Sequence, residues 1–249
     1  MRTCEMQAGE YERMRLHEET YWWYAGLRKL IKSSIKQSGE DASILDAGCG
    51  TGGNLRVLSE SLRTKRLIGV DISPDAIRFA QERRIAFLAR ASVNQLPFVD
   101  ELFDMIICMD VLYAMGVDEK KSIAELLRVL KKDGKLLLNL PAFEFLRGPH
   151  DVTVGTERRY TTRSARKILE QAGFQIEKLH YWNSFLFPFL VPWRVFGRTF
   201  GRSENARSDI RPLPAFVNRF LQWTITSEVE LQQHIHIPFG SSIFVVARK

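Results

Sequence analysis

Cysteine is scarce in this chain, with three in 249 residues. Cys4, Cys49 and Cys108 are odd in number, far apart and outside any CxxC or Cys/His spacing. Neither a disulfide framework nor a structural zinc site is expected, and a reducing compartment is. Long apolar runs are missing as well. No stretch of about 18 apolar residues occurs, and the charged start MRTCEMQAGEYERMRLHEE lacks the apolar run of a signal peptide. A cytoplasmic protein is therefore the expectation. Acidic residues are absent from Lys178 to Ser203, within a chain whose 36 Lys+Arg against 29 Asp+Glu leave a formal net charge of +7. Arg194, Arg198, Arg202, Arg207, Arg211 and Arg219 crowd that region and the residues after it, so any attraction for anionic partners should concentrate there. Repeats and low-complexity tracts are also lacking, and the length suits one large domain with its own core.

What is present alternates between short apolar runs and amphipathic segments, the pattern of a doubly wound parallel sheet. Strands are expected at Ser43 to Ala47, Arg66 to Val70, Ala86 to Ala89, Phe103 to Cys108, Lys135 to Leu140, Gln175 to Tyr181 and Ser242 to Arg248. Helices are expected at Asn54 to Leu62, Pro74 to Arg84, Glu119 to Leu130 and Thr162 to Ala172. Ser73 can cap the second of these with Pro74 at its first position, and Gly173 ends the last. Glu5 to Gln37 reads as an N-terminal helical cap, residues 1–42. The core is then residues 43–182 with 238–249, and residues 183–237 form an insertion between the last two strands.

The stretch Ile44-Leu45-Asp46-Ala47-Gly48-Cys49-Gly50-Thr51-Gly52-Gly53 places glycines at a strand-to-helix turn, where backbone can approach a ligand closely. Gly48, Gly50 and Gly53 also satisfy GxGxxG, which alone does not establish a dinucleotide site. Asp46 would meet a pyrophosphate unfavourably but suits a cationic amino-acid ligand. Asp71, closing the next strand, can accept hydrogen bonds from both hydroxyls of a ribose. Together ILDAGCGTGG and LIGVDIS resemble class I S-adenosylmethionine-dependent methyltransferases. The resemblance continues through Asn94-Gln95-Leu96-Pro97-Phe98, Phe103 to Leu112 and Leu130 to Leu136, and covers about residues 43 to 182.

That resemblance implies a Rossmann-like sheet of seven strands, the last antiparallel, with S-adenosylmethionine across the carboxyl ends of the first strands. By the same resemblance Asp46, Gly48 and Gly50 approach the methionine part, Asp71 holds the ribose, Ile72, Ser92 and Val93 approach the adenine, and Cys49 and Met109 are further cofactor contacts. Ser92 stands where the family often has an acid. Where related sequences often read DVLEH, Asp110-Val111-Leu112-Tyr113-Ala114 lacks the Glu-His pair, and no catalytic base is assigned there. The segment Glu18 to Tyr24 with Arg28, and the loop Pro149-His150-Asp151 with Arg158-Arg159-Tyr160-Thr161, are similar to a subgroup acting on small or lipid-like acceptors. Thr156 stands in that loop where a His is frequent. Tyr21, Trp22, Tyr24 and Arg159 become candidate substrate contacts, the aromatics through cation–π or plain packing. His150 is the candidate proton acceptor, oriented by Asp151 or by Tyr160, which is itself a candidate catalytic residue.

The run FLFPFLVPWRVFGRTFGR from Phe185 to Arg202 sets Arg194, Arg198 and Arg202 on one helical face among aromatics. It reads as a lid over an apolar pocket that also touches an anionic membrane surface. Nucleic acid is disfavoured, since no RNA-binding module is recognisable, and His234-Ile235-His236 has no third ligand for a metal. The expected activity is O- or C-methylation of a small or lipid-like acceptor. Two alternatives remain open, a cofactor-binding scaffold docking through the basic insertion and an NAD-dependent oxidoreductase.

Overall fold

A computed structural model describes residues 9–35, 41–62, 66–199 and 213–249, side chains at 193 and 195–199 apart. Cys4, Arg202, Arg207 and Arg211, and the side chain of Arg198, lie outside the described residues. Seven strands, β1 (Ile44–Ala47), β2 (Leu67–Asp71), β3 (Phe87–Arg90), β4 (Phe103–Met109), β5 (Leu130–Pro141), β6 (Gln175–Trp182) and β7 (Ser242–Arg248), form one sheet in the order β3-β2-β1-β4-β5-β7-β6. The strands from β3 to β5 pair in parallel, and β7 runs antiparallel to both β5 and β6. The order reverses between β1 and β4, which opens a crevice at their carboxyl ends.

The central strands are apolar on both faces because helices cover both. Their alternate residues sort into two cores. Leu45, Ile106, Cys108, Leu136, Leu138 and Val245 pack with α5 (Glu119–Val129) and α7 (Thr162–Ala172). Ile44, Met105, Ile107, Leu137 and Phe244 pack with α2 (Trp22–Ile35), α3 (Gly53–Ser61) and α9 (Ala215–Leu231). Trp182, fully buried, anchors the second core.

The expected single cap helix is broken into α1 (Glu10–His17) and α2. The break falls at Glu18, whose buried carboxylate accepts a hydrogen bond from Thr51 Oγ1 at 2.7 Å and pairs with Arg83. Arg83 Nε also donates to Thr51 O at 2.8 Å. This buried latch bends the chain over the glycine turn. At Gly53 an added Cβ would stand 2.3 Å from Glu18 Oε2, so only glycine permits the approach. The helix α4 (Pro74–Gln81) starts as the sequence implies, Ser73 Oγ accepting from Ala76 N. Beyond β5 a short α6 (Pro149–Thr153) precedes α7, and α8 (Phe187–Thr199) with α9 lies between β6 and β7. No helix among the described residues is long and apolar enough to cross a membrane.

Candidate active site

A cavity of about 460 Å³ opens at the carboxyl ends of β1, β2 and β4 and is closed over by α1, α2, α6 and α8. Its first half belongs to the glycine turn. Gly48 holds φ 87°, and a Cβ there would come within 2.2 Å of Val111 Cγ2 on the β4 loop, so its backbone is committed on both counts. Gly50 N donates to Asp71 Oδ2 and Ser73 N to Asp71 Oδ1, both at 2.9 Å. The Ile72 amide also bears on this carboxylate, and the acceptor capacity that remains on Asp71 suits ribose hydroxyls. Asp46 is fully buried, and neither of its carboxylate oxygens has a hydrogen-bond partner. Burial, with Asp71 and Glu18 nearby, drives its pKa well above the ordinary carboxylate range. Burial also raises Asp71, against the backbone amides that hold it. A turn with a buried acid lacking any partner and a second acid beside it fits the cationic ammonium and sulfonium of S-adenosylmethionine, whose charge would favour ionisation of Asp46, and suits a dinucleotide's pyrophosphate poorly.

The second half gathers residues from distant parts of the chain. Asp110, at φ 62° just past β4, accepts from Asn139 Nδ2 at 2.9 and 3.0 Å, while Asn139 Oδ1 accepts from Trp182 Nε1 at 2.8 Å. Burial raises the Asp110 pKa to about 7, opposed by hydrogen bonds from Asn139 and Tyr113. The Tyr113 hydroxyl is pushed far up by burial and by Asp110 and Asp151, so it stays a proton donor. Tyr24, on α2, is likewise raised by burial and by the charges of Glu18 and Asp110. On the other wall Asp151 is buried between two arginines. Arg159 Nε lies at 2.9 Å from its Oδ1, Arg194 Nη1 at 3.7 Å from its Oδ2, and Gly148 N donates to Oδ2 at 2.7 Å.

Gly48, Cys49, Gly50, Asp71, Ile72, Ser92, Val93 and Met109 all line the cavity, as do Tyr21, Trp22, Tyr24, His150 and Arg159. Asp46 sits behind the turn rather than on the cavity wall. Ser92 Oγ accepts from Asn94 N at 3.2 Å and so shapes its own loop. Tyr160 is not brought to the site. Residues 142 and 160 form a parallel bridge, and side chains alternate along extended backbone. Arg159 therefore turns to the cavity and Tyr160 into the core, its hydroxyl donating to Glu119 Oε1 at 2.6 Å. With its hydroxyl on Glu119, Tyr160 does not orient His150.

Asp110, Tyr113 and Arg194 are the site residues that the sequence reading missed. Asp110 lies inside the motif from Phe103 to Leu112, with no local mark of its partner Asn139. Arg194, expected on one helical face with Arg198 and Arg202, has a side chain 10% exposed and turned onto Asp151. Among the described residues no group of three metal-ligating side chains occurs.

Residues 45–138 match the methyltransferase domain family. Over 147 residues the chain is 29% identical to a probable tRNA methyltransferase 9B of Mus musculus, a match covering 55% of this chain and 32% of that protein. Over 165 residues it is 30% identical to a malonyl-[acyl-carrier protein] O-methyltransferase of Hahella chejuensis, covering 61% of this chain and 58% of that protein. The chain thus spans less than two thirds of these curated relatives. Among solved structures, a putative methyltransferase in complex with the Haloferax volcanii Trm112 methyltransferase activator superposes with a TM-score of 0.62 at 17% identity, covering 96% of this chain and 97% of that one.

Proposed function

We propose that this chain, whose residues 45–138 match the methyltransferase domain family, transfers a methyl group from S-adenosylmethionine to a small or lipid-like acceptor, by O- or C-methylation. The observation that carries the reading is the pair of acids at the glycine turn, Asp71 oriented by backbone amides on the cavity wall and Asp46 buried without a partner. When bound, S-adenosylmethionine supplies an electrophilic methyl on a sulfonium. The chain's part is to fix distance and angle and to exclude water. Asp71 binds the ribose hydroxyls, Ile72 lies against the adenine beside Ser92 and Val93, and Asp46, behind Gly48 to Gly50, favours the positive end.

The acceptor enters the half lined by Tyr21, Trp22, Tyr24, Val111, Leu146 and Leu190, an aromatic and aliphatic wall that suits an apolar molecule better than a peptide or a base. Asp110, with a pKa near 7, takes the proton of an attacking hydroxyl or acidic carbon. His150, also on the cavity wall, is the second candidate for that role. Arg159 holds the loop through Asp151 and Ala142 O and presents the remainder of its guanidinium to the acceptor. A cytoplasmic setting accords with Cys49 and Cys108, both buried and unpaired.

Incubating the protein with methyl-labelled S-adenosylmethionine and a cell extract, then partitioning the products, tests this reading. Label in the organic phase or among small acids is expected. Label in RNA would transfer the activity of the tRNA-named relatives to this chain instead. Binding of the cofactor with no label in any fraction would favour the scaffold, and calorimetric binding of NADH in place of S-adenosylmethionine would favour the oxidoreductase.

A further inference from the structure

On the outer face of α9, Phe216, Phe220 and Trp223 are 77%, 61% and 65% exposed. Their spacing of four and three residues sets them in one row along the helix, and the Phe220 and Trp223 rings lie 6.2 Å apart. The opposite face is committed to α2, against which Ile225 and Val229 are buried. Gly26 of α2 makes room there, since a Cβ would stand 2.8 Å from Ile225 Cγ1. Asn218 pins the first turns further, accepting from Trp22 N at 3.0 Å and donating to Thr20 O at 2.7 Å. The aromatic row is held rigidly outward and cannot turn onto the core.

Leu16, Phe87, Val99 and Val152 are exposed apart from one another and need no partner, whereas Phe145 and Phe239, 46% and 39% exposed, meet Phe187 through ring contacts. The α9 row differs from these in running along one face of a single helix and in its charge setting. From Ala215 to Ser227 the only charged residue is Arg219, exposed between Phe216 and Phe220. The acids further along are occupied: Glu228 is buried on the amides of Ser184 and Phe185, and Glu230 pairs with Lys29. Upstream, with Arg194 committed to Asp151, residues 198–211 carry four further arginines against Glu204 and Asp209. Aromatic side chains beside arginine on a helix match the boundary between headgroups and acyl chains, and the positive charge selects an anionic surface.

We propose that the face of α9 bearing Phe216, Phe220 and Trp223 docks the protein on an anionic lipid bilayer, with the helix lying in the plane of the headgroups. The docking face so proposed lies on α9, beside the run from Phe185 to Arg202 expected from sequence, of which Arg194 turns onto Asp151 while Phe189 is 76% exposed. Since α9 also holds Trp22 of the cavity wall, docking sets the acceptor half of the cavity beside the lipid. The proposal does not depend on the reaction the cavity performs.

The test is co-sedimentation of the full chain with phosphatidylcholine vesicles, with and without phosphatidylglycerol, beside a Phe216→Ser/Phe220→Ser/Trp223→Ser variant whose thermal melting verifies its fold. Binding to the anionic vesicles is expected, weakened by salt and reduced about tenfold or more in the variant. Absence of binding at low salt, equal binding by the variant, or equal binding to neutral vesicles overturns the proposal. So does a wild-type chain that ignores vesicles and self-associates through the same three residues, because the row is then an interface between copies.

Discussion

The two halves of the cavity are built in opposite ways. The cofactor half is local: Asp46 to Gly53 and Asp71 to Ser73 sit on neighbouring parallel strands, and backbone amides supply its bonds. The acceptor half is assembled across the chain, with Asp110, Asn139 and Trp182 joining the ends of β4, β5 and β6, and Arg194 reaching Asp151 from α8. Their charges differ too. Unpartnered or backbone-held acids surround the glycine turn, whereas the acceptor wall sets two arginines against one buried aspartate and leaves Asp110 poised near neutrality. A local, backbone-built site tolerates almost no substitution. A site of distant side chains should change in graded steps.

The sharpest break in that contrast comes at Gly48. Alanine there takes a left-handed φ and drives its Cβ into Val111, so a loss of about 3–5 kcal/mol of stability is expected from strain and overpacking together. Chemical denaturation measures it. If the variant folds, calorimetry should detect no S-adenosylmethionine binding. Asp71→Asn comes next, exchanging charged acceptors for a neutral amide that can accept on one side only. About 2 kcal/mol, or roughly thirtyfold in cofactor Kd, should be lost, while the acceptor wall stays intact.

Asp110 gives the comparison a pH axis. Its folded pKa of about 7 lies above the value near 4 of an unfolded aspartate. Between those values the folded chain holds a proton that the unfolded chain has released. The stabilisation is complete below about pH 4 and is lost as pH rises through about 7. Tm of the cofactor-free protein should fall across that window by on the order of 5 °C. Asp46 and Asp71, also raised, act in the same direction. Asp110→Asn should flatten the upper part of the slope, and turnover, which needs the ionised carboxylate, should lose its rise near pH 7 in the same variant. An unchanged slope would mean that Asp110 is solvated and no base.

This division also sets what the sequence could reveal. The ends of β7 and α7 are those read from the pattern, because Thr161 and Gly173 cap α7 and the β7 run is continuous. The glycine turn was legible because its geometry demands glycine and its ligand demands acids within a few residues. Nothing local marks Asn139 as the partner of Asp110, or Tyr160 as a core residue. Both follow from strand register and from the alternation of side chains on a bridge that forms only once β5 is in place. The break between α1 and α2 was hidden for the same reason, since the Glu18 partners Thr51 and Arg83 lie more than thirty residues away.

Arg194→Gln should have the smallest effect, and it tests whether the acceptor half changes in graded steps. The pair with Asp151 at 3.7 Å ties α8 to the cavity wall, but Asp151 keeps Arg159 and the Gly148 amide when Arg194 is gone. The buried carboxylate is not orphaned, so the cost should stay near about 1 kcal/mol and cofactor Kd should not move. Proteolysis is the sensitive readout. Opening of α8 away from the wall should become about fivefold more frequent for that free energy, and trypsin cleavage after Arg198, within α8, should accelerate to match. A cofactor affinity that shifts with Arg194→Gln would show the two halves to be coupled through the floor of the cavity rather than independent.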